Sequence, residues 1–143
     1  MIYRNYGKTG KQVSALGFGG MRFAEPDNID KMAETVLRAY ERGISYFDTA
    51  PGYCKDKSEI IMGTAIKEMK KGEKPFFIST KSNKSKAADL RRDLEKSLKR
   101  LNVDSINFYH MWCLLTLESY ESRKKGGVIE ELRKAKEEGL IQH

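Results

Sequence analysis

The chain has 143 residues, one domain's worth, and its 39% hydrophobic content, with seven tyrosines and six phenylalanines, is enough to build a core. The formal charge of +7 comes from 27 lysines and arginines against 20 acids, but Lys84, Lys86, Arg91, Arg92, Lys96, Lys99 and Arg100 are interleaved with Asp89, Asp93 and Glu95, as on a solvated helix face and not on a nucleic-acid surface. No run approaches ~18 apolar residues, Met1 to Lys8 lacks the apolar stretch of a signal peptide, and Cys54 and Cys113 form neither a disulfide framework nor a metal pattern, so a cytoplasmic chain with no membrane segment and no metal centre is expected.

Tyr3 to Tyr6, the turn Gly7-Lys8-Thr9-Gly10 and Lys11 to Ser14 read as a β-hairpin. Val13 to Gly20 is a short apolar strand that dissolves into glycine, where Gly19 and Gly20 mark a tight turn. Asp27 or Asn28 can cap a helix with Ile29, Met32, Val36, Leu37 and Tyr40 on one face, ended by Gly43 in a left-handed conformation. Strand Ile44 to Phe47 follows and ends at Asp48; Thr49-Ala50-Pro51-Gly52 breaks it into a loop presenting Tyr53.

Ser58 is the expected cap of the next helix, which carries Ile61, Met62, Ala65, Ile66 and Met69. Gly72 and Pro75 release strand Phe76 to Thr80, ending at Lys81. A third helix follows with Ala87, Leu90, Leu94, Leu98 and Leu101 at helical spacing, and Asn102 suits the position after its end. Strand Ser105 to Tyr109 ends at His110, Gly126-Gly127 precedes a last helix closed by Gly139, and Leu140 to His143 begins a fifth strand.

Strand and helix therefore alternate, and Asp48, Lys81 and His110 fall roughly thirty positions apart, one βαβ repeat each. Alternating βα units with apolar strands imply a parallel sheet with right-handed crossovers, so all three residues leave the same sheet edge. Their chemistry is coherent. A phenol is a poor acid near neutrality; an ammonium beside it stabilises the phenolate, and a carboxylate beside the ammonium fixes its place and charge. Tyr53, Lys81 and Asp48 are the types for that relay, and His110 can donate a hydrogen bond to a carbonyl oxygen. A proton donor and a polarised carbonyl, without a nucleophile, point to carbonyl reduction with hydride from a cofactor. Singly, Asp48 is a loop brace, Tyr53 a half-packed aromatic, Lys81 a solvated cation and His110 a strand-edge imidazole; jointly, at one end of successive parallel strands, they read as a site.

Three segments carry a resemblance: Tyr46-Phe47-Asp48-Thr49-Ala50 with Tyr53 and Ser58-Glu59; Ile78-Ser79-Thr80-Lys81; and Leu98-Lys99-Arg100-Leu101-Asn102-Val103-Asp104 leading to His110. With the opening hairpin and Leu16-Gly17-Phe18-Gly19-Gly20-Met21, the whole chain resembles the N-terminal half of an aldo-keto reductase. The resemblance implies an α/β fold, the first half of a (β/α)8 TIM barrel: a single domain over 1–143, with a hairpin over 1–14 and four βα units over 15–140. It also implies NADP(H) as cofactor and Asp48, Tyr53, Lys81 and His110 as a catalytic tetrad. Gly20, Met21, Arg22 and Asp48 would lie beside the cofactor and Trp112 would line the substrate pocket, its alternative being rim packing.

A complete (β/α)8 barrel takes about 250 residues. Four βα units leave two strand edges and an inner face uncovered, so self-association or pairing with a complementary C-terminal half is expected. Weak or absent turnover is expected of the half alone. The alternative is a non-catalytic half-barrel, either an assembly module or a truncation product. No nucleic-acid or membrane partner is expected, only a small carbonyl substrate.

Overall fold

A computed structural model describes residues 1–143. Two antiparallel strands open the chain, β1 (Tyr3–Asn5) and β2 (Gln12–Ser14), in the register Tyr3↔Ser14. Four parallel strands follow: β3 (Phe18–Gly19), β4 (Tyr46–Asp48), β5 (Phe77–Ser82) and β6 (Phe108–Met111), neighbours in that order. Between and after them lie α1 (Ile29–Glu41), α2 (Ser58–Met69), α3 (Ala87–Leu101), α4 (Leu117–Lys125) and α5 (Val128–Glu137). Sequential parallel strands joined by helices are the four βα units that the alternation predicts. The start of a further strand is present as well, since Ile141 bridges Ile106 in parallel.

Local signals explain most boundaries. Asn28 caps α1, its side-chain oxygen accepting the Lys31 N–H at 3.2 Å. Gly43, with φ of 93°, turns the chain out of α1, and Asn102 takes the left-handed position after α3 with φ of 55°. One expectation needs correction, and one helix lies outside the expected elements. Ser58 is the first residue of α2 and does not cap it: its hydroxyl pairs with that of Thr49 at 2.7 Å and donates to the Gly20 carbonyl at 2.8 Å. Helix α4 was not foreseen, because it has no apolar stripe and a single buried residue, Arg123; a capping box between Thr116 and Ser119 starts it.

The strand period of two sorts side chains onto opposite faces. Phe47, Ile78 and Tyr109 face the helices and join Ile61, Ile66, Leu90, Leu94 and Leu101 in one core, the last five fully enclosed. Each such burial is worth roughly 1.5–3 kcal/mol. Tyr46, Phe77 and Phe108 face the other way. Tyr6 of the hairpin packs on Tyr46 and Phe108 at ring distances of 5.5 and 4.5 Å, closing the N-terminal end of this inner face with aromatic rings. The C-terminal ends of the strands stay open.

Candidate active site

Asp48 ends β4, and its register partner on β5 is Ser79; Lys81, two residues further along β5, pairs with His110 on β6. Residues paired across a parallel sheet, and those two apart along a strand, share a face. Asp48, Ser79, Lys81 and His110 therefore all stand on the inner face, above the aromatic floor. Ser79 donates its hydroxyl hydrogen to one Asp48 oxygen at 2.8 Å, and Lys81 Nζ donates to the other at 2.6 Å. The Lys81 side chain keeps only 11% of its exposure, so its charge is matched by a fixed counter-ion in a half-enclosed site.

Tyr53 reaches this group from the loop after β4. Lys81 Nζ lies 5.1 Å from the centre of the Tyr53 ring and 6.0 Å from that of Trp112, within cation–π range of both. The two rings meet edge to face at 5.6 Å and 88°. The phenol hydroxyl itself has no hydrogen-bond partner within the chain. Lys81 thus meets Tyr53 through the ring face, and its ammonium donates its hydrogen bond to Asp48 and not to the phenol. A second inner-face phenol, Tyr46, is a floor group: its hydroxyl lies 3.5 Å from that of Tyr6, and burial pushes its pKa far up against the opposing pull of Ser79.

His110 is exposed on the inner face. Loss of hydration lowers its pKa below the ordinary imidazole value; Asp48 raises it and Lys81 lowers it. That direction favours the neutral ring, which has one N–H to donate. On the far side of Asp48, β3 runs into the 3-10 turn Gly20–Arg22. Gly20 is buried: a Cβ there would stand 2.6 Å from Ser58 Oγ and 2.8 Å from the Met62 side chain, so close packing from behind requires the glycine. Met21 and Arg22 are exposed beside it.

Several residues of this region escaped the sequence reading. Ser79 sat inside the strand as an ordinary small residue. Arg123, on the unforeseen α4, is buried and donates to the carbonyls of Trp112 at 2.8 Å, Cys113 at 3.3 Å and Asn83 at 3.3 Å, tying the loops after β5 and β6 together behind Trp112. Asp56, Glu59 and Arg100 form an ionic group under the Tyr53 loop. Leu98-Lys99-Arg100-Leu101 pointed to Arg100 as part of a motif without giving it a role.

The chain as a whole matches known proteins. The model of the aldo/keto reductase family fits residues 15–143. The chain belongs to the aldo/keto reductase family. Among curated relatives, an L-galactose dehydrogenase of Arabidopsis thaliana is 32% identical over 116 residues, covering 75% of this chain and 36% of that protein. Among solved structures, an aldo-keto reductase from Pseudomonas aeruginosa superimposes with a TM-score of 0.78 at 32% identity, over 98% of this chain and 56% of its own. An aldo/keto reductase from Klebsiella pneumoniae, solved in complex with NADP and acetate, shares the fold with a TM-score of 0.69 at 23% identity, over 92% of this chain and 44% of its own. The chain thus spans about a third of the curated relative and about half of the solved barrels, and its fold is that of a half barrel within an oxidoreductase family.

Proposed function

We propose that the chain carries the catalytic half of an NADP(H)-dependent reductase of aldehydes or ketones. The observation that supports this reading best is the Ser79–Asp48–Lys81 hydrogen-bonded array lying against the Tyr53 ring, with His110 beside Lys81 in register. Lys81, held by Asp48, keeps a positive charge next to the phenol and favours its release of a proton. Tyr53 gives that proton to the substrate's carbonyl oxygen, and the neutral His110 imidazole donates a hydrogen bond to the same oxygen. Trp112 forms a wall of the substrate space. A bound nicotinamide cofactor would supply the hydride. The cofactor reading draws on the relative crystallised with NADP, and the exposed Arg22, near Gly20, offers a guanidinium to a phosphate-bearing dinucleotide, with exposed Met21 as an apolar neighbour. A reducing compartment such as the cytoplasm suits the free thiols of Cys54 and Cys113.

The test is NADPH oxidation with an aldehyde, with a complementary C-terminal half barrel added in trans. The expected result is turnover that Tyr53→Phe lowers by about 100-fold or more while NADPH binding is retained. Equal turnover by Tyr53→Phe overturns the assignment.

A second reading, that the half barrel associates, rests on its own observation. Both margins of the parallel sheet carry apolar grooves: one of about 580 Å³ beside β3, lined by Met1, Leu16, Phe18, Ala39 and Ile44, and one of about 250 Å³ beside β6, lined by Met111, Ile129, Leu132 and Ile141. Strand edges flanked by such surface favour pairing with a second copy or with a complementary half. Light scattering of the purified chain at micromolar concentration is expected to show more than a monomer; a stable monomer refutes it.

A further inference from the structure

Three consecutive residues after Tyr53 adopt a conformation that side chains disfavour: Cys54, Lys55 and Asp56 have φ of 54°, 54° and 71°. A left-handed run without glycine persists only where its surroundings hold it; here the Lys57 and Ser58 N–H groups donate to the Tyr53 carbonyl, both at 3.2 Å, and an ionic restraint acts on Asp56. The Asp56 carboxylate accepts the Gly52 N–H at 3.1 Å, so residues on either side of Tyr53 are tied to each other. From outside the loop it receives both terminal nitrogens of Arg100, Nη1 at 2.6 Å, and Lys96 Nζ at 3.2 Å. The Arg100 side chain is 17% exposed, and its Nη1 also stands 3.5 Å from the Glu59 carboxylate. Glu59 is 1% exposed and accepts the Thr80 hydroxyl hydrogen at 2.9 Å, one residue before Lys81. Arg100 holds Asp56 well below the usual carboxylate range, whereas burial pushes Glu59 up.

A single guanidinium on α3 thus joins the loop that carries Tyr53 to the strand that carries Lys81. We propose that Arg100 is a positioning residue: through Asp56 it fixes the left-handed turn, and with it the Tyr53 ring against Lys81 and Trp112. The consequence for turnover rests on the catalytic reading of Tyr53; the positional claim does not. A planar fork that grips Asp56 with two nitrogens is a role lysine fills only in part.

Trp112 is the only tryptophan in the chain, and its ring contacts Tyr53, so its fluorescence reports the ring pair directly. The experiment compares Arg100→Met, Arg100→Lys, Asp56→Asn and a control on the same helix, Arg91→Met, which removes the pairs to Glu131 and Glu138. With far-UV circular dichroism unchanged, Arg100→Met is expected to raise acrylamide quenching of Trp112 and weaken the near-UV aromatic signal. Arg100→Lys should recover part of both, and Arg91→Met should match the wild type. Should Arg100→Met fail to fold, Asp56→Asn, which keeps an acceptor for Gly52 and loses the ion pair, decides by the same optical readout. Wild-type quenching and near-UV signal in the folded Arg100 or Asp56 variant overturn the proposal. In the assay with the complementary half, Arg100→Met should lower kcat about tenfold or more with KM little changed. A wild type without turnover defeats the catalytic reading, while the optical result still stands for or against the positioning role.

Discussion

The two faces of the parallel sheet are made by alternate residues of the same strands and do opposite work. Toward the helices, Phe47 and Ile78 are almost wholly enclosed. Toward the barrel interior, Asp48 keeps 34% of its side-chain exposure and His110 is exposed. One face is packed along its whole length and holds the fold; the other is packed only at its aromatic floor of Tyr46, Phe77 and Phe108 and above it carries ionic and titratable groups. The lesson is that stability and chemistry are separated by one position along each strand, so substitutions at adjacent residues should differ in kind and not only in size.

Three measurements test that contrast. The largest effect belongs to the packed face: Leu94→Ala, deleting most of a fully enclosed side chain, should cost about 2–5 kcal/mol in urea unfolding. A loss near zero would mean that α3 is not seated as described. Asp48→Asn should cost less, roughly 1–3 kcal/mol, because it leaves the Lys81 ammonium partly enclosed with a weaker partner while Asp48 itself is a third exposed. In the same variant the imidazole of His110 should titrate lower still, since Asp48 is the group that raises its pKa. Unchanged stability and titration would show that the pair is not formed in solution.

The smallest effect concerns His110 alone. Proton NMR of the two histidines should place its midpoint below 6.5, the ordinary value, with His110→Ala giving the assignment. A depressed imidazole binds fewer protons in the folded chain than in the unfolded one. Its contribution to stability is therefore complete above 6.5 and is lost as the pH falls through the lowered midpoint. A midpoint above 6.5 would place His110 under the control of Asp48 and not of its lost hydration.

The strained turn after Tyr53 shows where reading the chain stops. Alternation, helix periods and end signals such as Asn28, Gly43 and Asn102 are local, and they led to the βα order, to a parallel sheet and to Asp48, Lys81 and His110 at one edge. Helix α4 was invisible because its side chains face solvent and carry no apolar period. The left-handed run carries no local signal because Cys54 and Lys55 disfavour it, and Arg100, which grips Asp56, lies 44 positions away.

The set of elements and the edge at which the chemical groups emerge follow from the pattern of residues along the chain, because hydrophobic period and chirality leave a parallel sheet few alternatives. Which groups touch is set by packing: Lys81 donates to Asp48 and lies against the ring of Tyr53, Ser58 braces Gly20 in place of capping α2, and Arg100 grips the loop from beneath. Pairings of this kind depend on distances between residues far apart in the chain, and those distances exist only once the elements have packed.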